Sequence, residues 1–209
     1  IGLAMKMYAN GEPRTYSFPR TIYVPDAPPT AYNQPNLAHP FKAPGMTPND
    51  VTAAIWLLLR TQDLTPDVFA CPISSAAPRT LSGPADQFSN FASQAELSYS
   101  IANPYPSSAA VADGFAWDDS MSADIPLLAD MNAGLPEILM TKQKSPGELQ
   151  RKNNSPNHQF DGQNVLYADG HVDWAASAFV GAGNDHIYAV STPKDGDFTG
   201  PIQVSEGAF

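Results

Sequence analysis

His158, Asp169 and His171, with Asp161 and Asp173 close by, are the residues whose types and spacing could most readily do chemistry. Imidazole and carboxylate ligands are those of zinc and iron hydrolases, in which the metal activates a water molecule. The spacing fits no established zinc pattern, and Asp169 precedes Gly170 in a pair favoured in tight turns for backbone reasons alone. Oxygen donors offer a second option. Asp130, Asn132, Asn157, Asp161 and Asp169 all fall in stretches that read as loops or turns, and calcium takes carboxylate, amide and carbonyl oxygens from such segments. If a metal is bound, these residues predict structural calcium, although no stretch matches the EF-hand loop. His158 and His171 are then left to pack and hydrogen-bond around the turn.

Nucleophilic chemistry has less support. Cys71 is the one cysteine, so an intrachain disulfide is excluded. Phe69, Ala70 and Pro72 surround it, no His–Asp pattern lies near it in the sequence, and it reads as a buried structural thiol. There is no Gly-x-Ser-x-Gly elbow, and neither Gly181-Ala182-Gly183 nor Gly196 opens a phosphate-binding helix. Trp117 and Trp174 could line a sugar-binding face but read more simply as core.

The elements that must position these residues are short. Residues 164–168 and 171–175 alternate in polarity around Asp169-Gly170, which predicts a hairpin with a two-residue type I′ turn and Gly170 at positive φ. Val172 and Trp174 share one face of it, opposite His171 and Asp173. Further strands are expected at 96–101, at 125–130, where Pro126 marks an edge or a strand start, and at 186–190. Residues 47–63 read as a core helix, with Thr47 as cap, Pro48 at the first position and Val51, Ala54, Ile55, Leu58 and Leu59 along the buried stripe. Between residues 12 and 46 eight prolines exclude regular helix, and only Thr21-Ile22-Tyr23-Val24 resembles a strand. Residues 142–157 read as a polar loop. Helices followed by a meandering antiparallel sheet give an α+β class and a single domain.

Composition sets the outer bounds. In 209 residues, 43% hydrophobic content suffices for one core, and the 21 prolines are spread rather than gathered into a disordered tract. A formal net charge of -10 with only 11 Lys and Arg excludes nucleic acid as a natural partner. The opening Ile1-Gly2-Leu3-Ala4-Met5-Lys6-Met7-Tyr8-Ala9-Asn10-Gly11 has no N-cap and reads as the last turns of a helix, so an apolar helix is expected upstream of it.

Several blocks together resemble a known family. Asn157-His158-Gln159-Phe160-Asp161-Gly162-Gln163-Asn164-Val165-Leu166-Tyr167-Ala168-Asp169-Gly170-His171-Val172-Asp173-Trp174 is similar to the C-terminal signature of the type II secretion pseudopilin-like, type IV pilin-like proteins abundant in planctomycetes. Ten residues separate His158 from Asp169, one more than in the common form of that signature. Residues 1–10 resemble the end of the long pilin helix. Residues 57–66 with Phe69-Ala70-Cys71-Pro72 resemble the family's middle helix and following turn. Leu97-Ser98-Tyr99-Ser100, Leu128-Ala129-Asp130-Met131-Asn132 and Asp185-His186-Ile187-Tyr188 match further blocks. The proline-rich excursion has no counterpart.

The resemblance implies a pilin-like fold, in which 1–11 ends an N-terminal helix and 12–209 forms a head with its sheet within 94–190. It also implies a job. The head would belong to a structural, non-enzymatic subunit of a filament, with other copies or other pseudopilins as partners. An upstream helix would anchor it in the inner membrane, leaving the head in the periplasm or on a surface filament. Major pseudopilins of this kind carry a calcium-stabilised C-terminal loop, although none of their ligands carries over to a particular residue here. The alternatives are a cell-surface binding module and a metal-dependent hydrolase built on His158, Asp169 and His171.

Overall fold

The computed structural model describes residues 1–12, 14–40, 45–132, 134 and 147–188. Its elements are α1 (Gly2–Gly11), α2 (Val51–Thr61), β1 (Tyr99–Ile101), α3 (Ser108–Ala112), β2 (Pro126–Asp130), α4 (Gly147–Arg151), β3 (Gln163–Tyr167) and β4 (Val172–Ala175), joined by long irregular segments and short 3-10 turns. Among the described residues no helix is long and apolar enough to cross a membrane. The class is α+β.

The four strands form one antiparallel meander in the order β1-β2-β3-β4. Pro126 opens β2, where its missing N–H is tolerated, and the register slips between Pro126 and Leu128. The extra residue lets Leu127 and Leu128 both join the main core. That core lies between the sheet and the two helices. Ala4, Met5 and Ala9 of α1, the stripe of α2, Leu128 of β2 and Leu166 of β3 fill it. Successive side chains point to opposite faces of a strand, so Ala129, Val165 and Tyr167 lie on the other face. There Ala178, Ile187 and Tyr188, from the chain after β4, cover them.

The hairpin between β3 and β4 differs from the two-residue turn expected. Tyr167 N–H donates to the His171 carbonyl at 3.0 Å and Gly170 N–H to the Tyr167 carbonyl at 2.9 Å. The loop is therefore Ala168-Asp169-Gly170. A type I′ turn needs positive φ at both central residues, yet in this stretch only Gly170, at +97°, is left-handed. Turning Ala168 inward, where it is 1% exposed, satisfies the core and moves the turn by one residue. β4 is an edge strand, with Val172 and Trp174 both exposed. Trp174 lies across Gly162, where an added Cβ would stand 2.6 Å from the indole and 2.5 Å from the Ala175 carbonyl.

Helix α2 is shorter than its hydrophobic pattern suggested. Asp50, not Thr47, caps it by accepting from Ala53 N–H at 2.9 Å, because Asn49 is left-handed (φ 55°) and breaks the turn begun at Pro48. The segment 142–157 also gains structure, with α4 and a 3-10 turn at Pro156–His158 in its described part. Residues 186–188 make one isolated bridge, Phe179 with His186, and then a turn instead of the expected strand; 189 and 190 lie outside the described residues. Among the described residues, Thr21-Ile22-Tyr23-Val24 pairs with no strand.

His186 makes the second core face sensitive to pH. It is 2% exposed, packs edge-on against Phe179 at 4.8 Å, and its Nδ1 accepts from Tyr188 N–H at 3.2 Å, which requires the neutral ring. Burial pushes this imidazole down to about 4. Because the folded value lies below the unfolded value of about 6.5, the unfolded chain binds the extra proton between these limits. Stability is then fully present above the unfolded value and is lost as pH falls through the folded one. Chemical denaturation at about pH 7.5 and about pH 5 should show a loss near 2 kcal/mol from this group. His186→Leu should reduce that loss. An unchanged pH slope in the variant would remove His186 from the account.

Candidate functional site

Two buried carboxylates, Asp50 and Asp130, organise the described fold. Asp50 is fully buried and accepts five hydrogen bonds from neutral groups, each about 3 Å long. The donors are the backbone of Ala53, the hydroxyl of Thr52, the amide of Asn90, and both the backbone and the amide of Asn33. Its own carbonyl accepts from the Tyr105 hydroxyl at 3.0 Å, and burial pushes that phenol up to about 12. Asn49 beside it binds Val24 N–H and the carbonyls of Val24 and Ala27 at 2.8–2.9 Å. The described part of the proline-rich excursion is thus packed chain, tied to the start of α2 by these side chains and by backbone bonds from Thr30 N–H to the Asn49 carbonyl and from Val51 N–H to the Thr30 carbonyl, each 2.8 Å.

Asp130 does the corresponding work at the end of β2. Its side chain is 1% exposed, and its Oδ2 accepts from Asn164 N–H at 2.7 Å and from the Asn164 amide at 3.0 Å. His158 brings Nε2 to the same oxygen at 2.8 Å. The 3-10 turn at Pro156–His158 aims that ring. Ser155 Oγ accepts from Asn157 N–H, Gln159 and Phe160 are both left-handed, and the His158 ring stands edge-on to Trp174 at 5.0 Å. The Asn157 amide donates to the Ser98 carbonyl at 2.8 Å and approaches Asp130 Oδ1 at 3.5 Å.

Cys71 joins this pair. The thiol follows the 3-10 turn Pro66–Phe69, and Cys71 N–H is held by Ser98 Oγ, which also donates to the Phe69 carbonyl. Ser98 therefore bonds both the Cys71 segment and the Asn157-His158 turn. One ligand atom each from Cys71, Asp130 and His158 lies within 4.8 Å of the others. Cys71 and Asp130 border a cleft of about 390 Å³ whose wall includes Tyr99, Leu128, Asn164 and Leu166. The Tyr99 phenol is raised by burial, with Cys71 and Asp130 adding to the effect.

The expected site residues divide. Of the oxygen donors proposed for calcium, Asp130 and Asn157 come together, but Asn157 turns its amide nitrogen toward the carboxylate. Asn132 uses its side-chain oxygen on Gly134 N–H. Asp161 pairs with Arg151 on the surface, and Asp169 bonds both the backbone and the ring of His171, which hold its carboxyl below the usual range. Among the described residues, neither carboxylate joins Asp130 in a cluster of three possible ligands. The hydrolase trio separates as well, with His158 on Asp130 and His171 on Asp169 at 2.5 Å. The reading of Cys71 as a thiol without a His–Asp pair is corrected: it is buried as expected, but such a pair is beside it. The stretches around residues 71, 130 and 158 are too far apart in the chain for spacing to reveal this. The available signal was that each lay in a block carrying the resemblance. Trp117 is core and Trp174 is half exposed.

No family model, curated protein or solved structure matches the chain.

Proposed function

We propose that the chain is the head of a structural subunit of a type II secretion-like pseudopilus or type IV pilus-like filament. An upstream apolar helix anchors it in the inner membrane, and other copies or related pseudopilins are its partners. The observation that carries this reading is the placement of α1. Ala4, Met5 and Ala9 are buried against the head, while Leu3 and Met7, one turn apart on the outer face, are 75% and 52% exposed. A helix serving only its own core presents polar residues outward, whereas two large apolar side chains at this spacing suit burial between neighbouring subunits. A helix packed with a meandering antiparallel sheet is also the coarse arrangement that the pilin resemblance implies.

On this reading the head performs no catalysis, and its work is assembly in the periplasm or at the cell surface. Expression of the full-length gene product in a pilus-assembling host, with and without its prepilin peptidase, tests the reading. Filaments containing the chain should appear in the sheared surface fraction only when the peptidase is present. Recovery of the head as a free monomer under both conditions would overturn it.

A further inference from the structure

The geometry points to a metal site formed by Cys71, Asp130 and His158, selective for zinc or a similar borderline divalent ion, with its fourth position supplied from the adjoining cleft. The three ligand atoms come from separate parts of the chain and lie within 4.8 Å of one another, two of them on buried residues. A tetrahedral ion with Zn–S, Zn–N and Zn–O bonds of ordinary length separates its ligand atoms by about 3.3–3.7 Å. Binding therefore requires the thiol to close in by about an ångström or less and the His158–Asp130 contact, now 2.8 Å, to open by about half an ångström.

Charge favours the same ion. On binding, the Cys71 S–H bond breaks and its proton passes to solvent, the thiolate sulfur donates its electron pair to the metal, and His158 binds as the neutral imidazole. Thiolate and carboxylate together cancel a double positive charge, so a buried centre with this donor set leaves no net charge to be solvated. Calcium gains little here, because only one of the three groups offers a hard oxygen. The surroundings hold the ligands in place. Asn164 fixes Asp130 through two hydrogen bonds, and Ser98 ties the segments bearing Cys71 and His158 to one strand end. The cleft bordered by Cys71 and Asp130 gives an ion a route in and a water molecule as its remaining ligand.

Titration of the purified, chelator-treated chain with Co²⁺ under reducing conditions tests the site. The expected result is one ion per chain, a sulfur-to-cobalt charge-transfer band, displacement by Zn²⁺ but not by Ca²⁺, and release of a proton. Cys71→Ser should abolish the charge-transfer band. His158→Gln should weaken binding by more than the roughly 10–100-fold typical of losing an outer-sphere partner. His171→Gln, which alters the other histidine–carboxylate pair, should leave binding unchanged. Should Cys71→Ser fail to fold, alkylation of Cys71 in the wild-type chain gives the same answer, since Zn²⁺ should slow it strongly. Absence of the charge-transfer band, equal binding by the His158→Gln variant, dependence on His171, or alkylation indifferent to Zn²⁺ would each overturn the assignment.

Discussion

Asp50→Ala is expected to destabilise the chain by about 3–5 kcal/mol, combining a lost helix cap of about 1 kcal/mol with buried donors left unpaired at about 1–3 kcal/mol each. The carboxylate is fully buried and serves α2 through Ala53 and the excursion through Asn33, with Asn90 joining from a third segment. Removing it strands amide groups that water cannot easily reach. Asp50→Asn should cost less, since one oxygen survives, but its new NH2 then faces at least one existing donor. Urea unfolding measures the difference, and hydrogen exchange should show the described residues between 20 and 40 opening well before the sheet. A loss below about 1 kcal/mol would mean that the cap alone matters and that the excursion is held by other contacts.

Asp130→Ala should have a comparable effect, about 3–5 kcal/mol, since buried donors left without an acceptor cost about 1–3 kcal/mol each. Two Asn164 donors and the His158 ring lose their acceptor together. Here the damage should spread through the turn at Pro156–His158 to the hairpin, leaving the start of α2 protected. The two variants therefore separate in hydrogen exchange even if their unfolding midpoints coincide. His158→Gln should cost less than Asp130→Ala, because the carboxylate keeps both Asn164 bonds. A larger loss for His158→Gln would make the Trp174 contact, rather than Asp130, the main restraint on that turn.

Local chemistry made several elements legible in the sequence. The stripe of α2 and the alternation around Asp169-Gly170 follow from side-chain periodicity, and both elements are present. Their ends were harder to read. Asn49 and Asp50 are each plausible at a turn or in a first helical turn, and only the tertiary bonds of Asn49 to Val24 and Ala27 decide between them. The hairpin loop shifted by one residue because burial of Ala168 competes with the local preference of Asp-Gly. Pairing of the titratable groups was the least accessible. His171 stays with carboxylates two residues away, Asp169 at 2.5 Å and Asp173 at 3.7 Å, while His158 reaches past Asp161 and Asp169 to Asp130, which β2 delivers from a distant segment. Cys71 arrives from a third segment through Ser98. Spacing along the chain carries no trace of such contacts.

The outward face of α1 bears most directly on the proposed filament. Leu3→Asp and Met7→Asp replace exposed side chains, so the isolated 209-residue chain should keep its fold and its unfolding free energy within about 0.5 kcal/mol. The decisive measurement is the amount of full-length double variant recovered in sheared filaments when prepilin peptidase is present. Recovery should fall to the level seen without the peptidase, with the variant accumulating unassembled in the membrane. Filaments formed at wild-type yield by the double variant would contradict it.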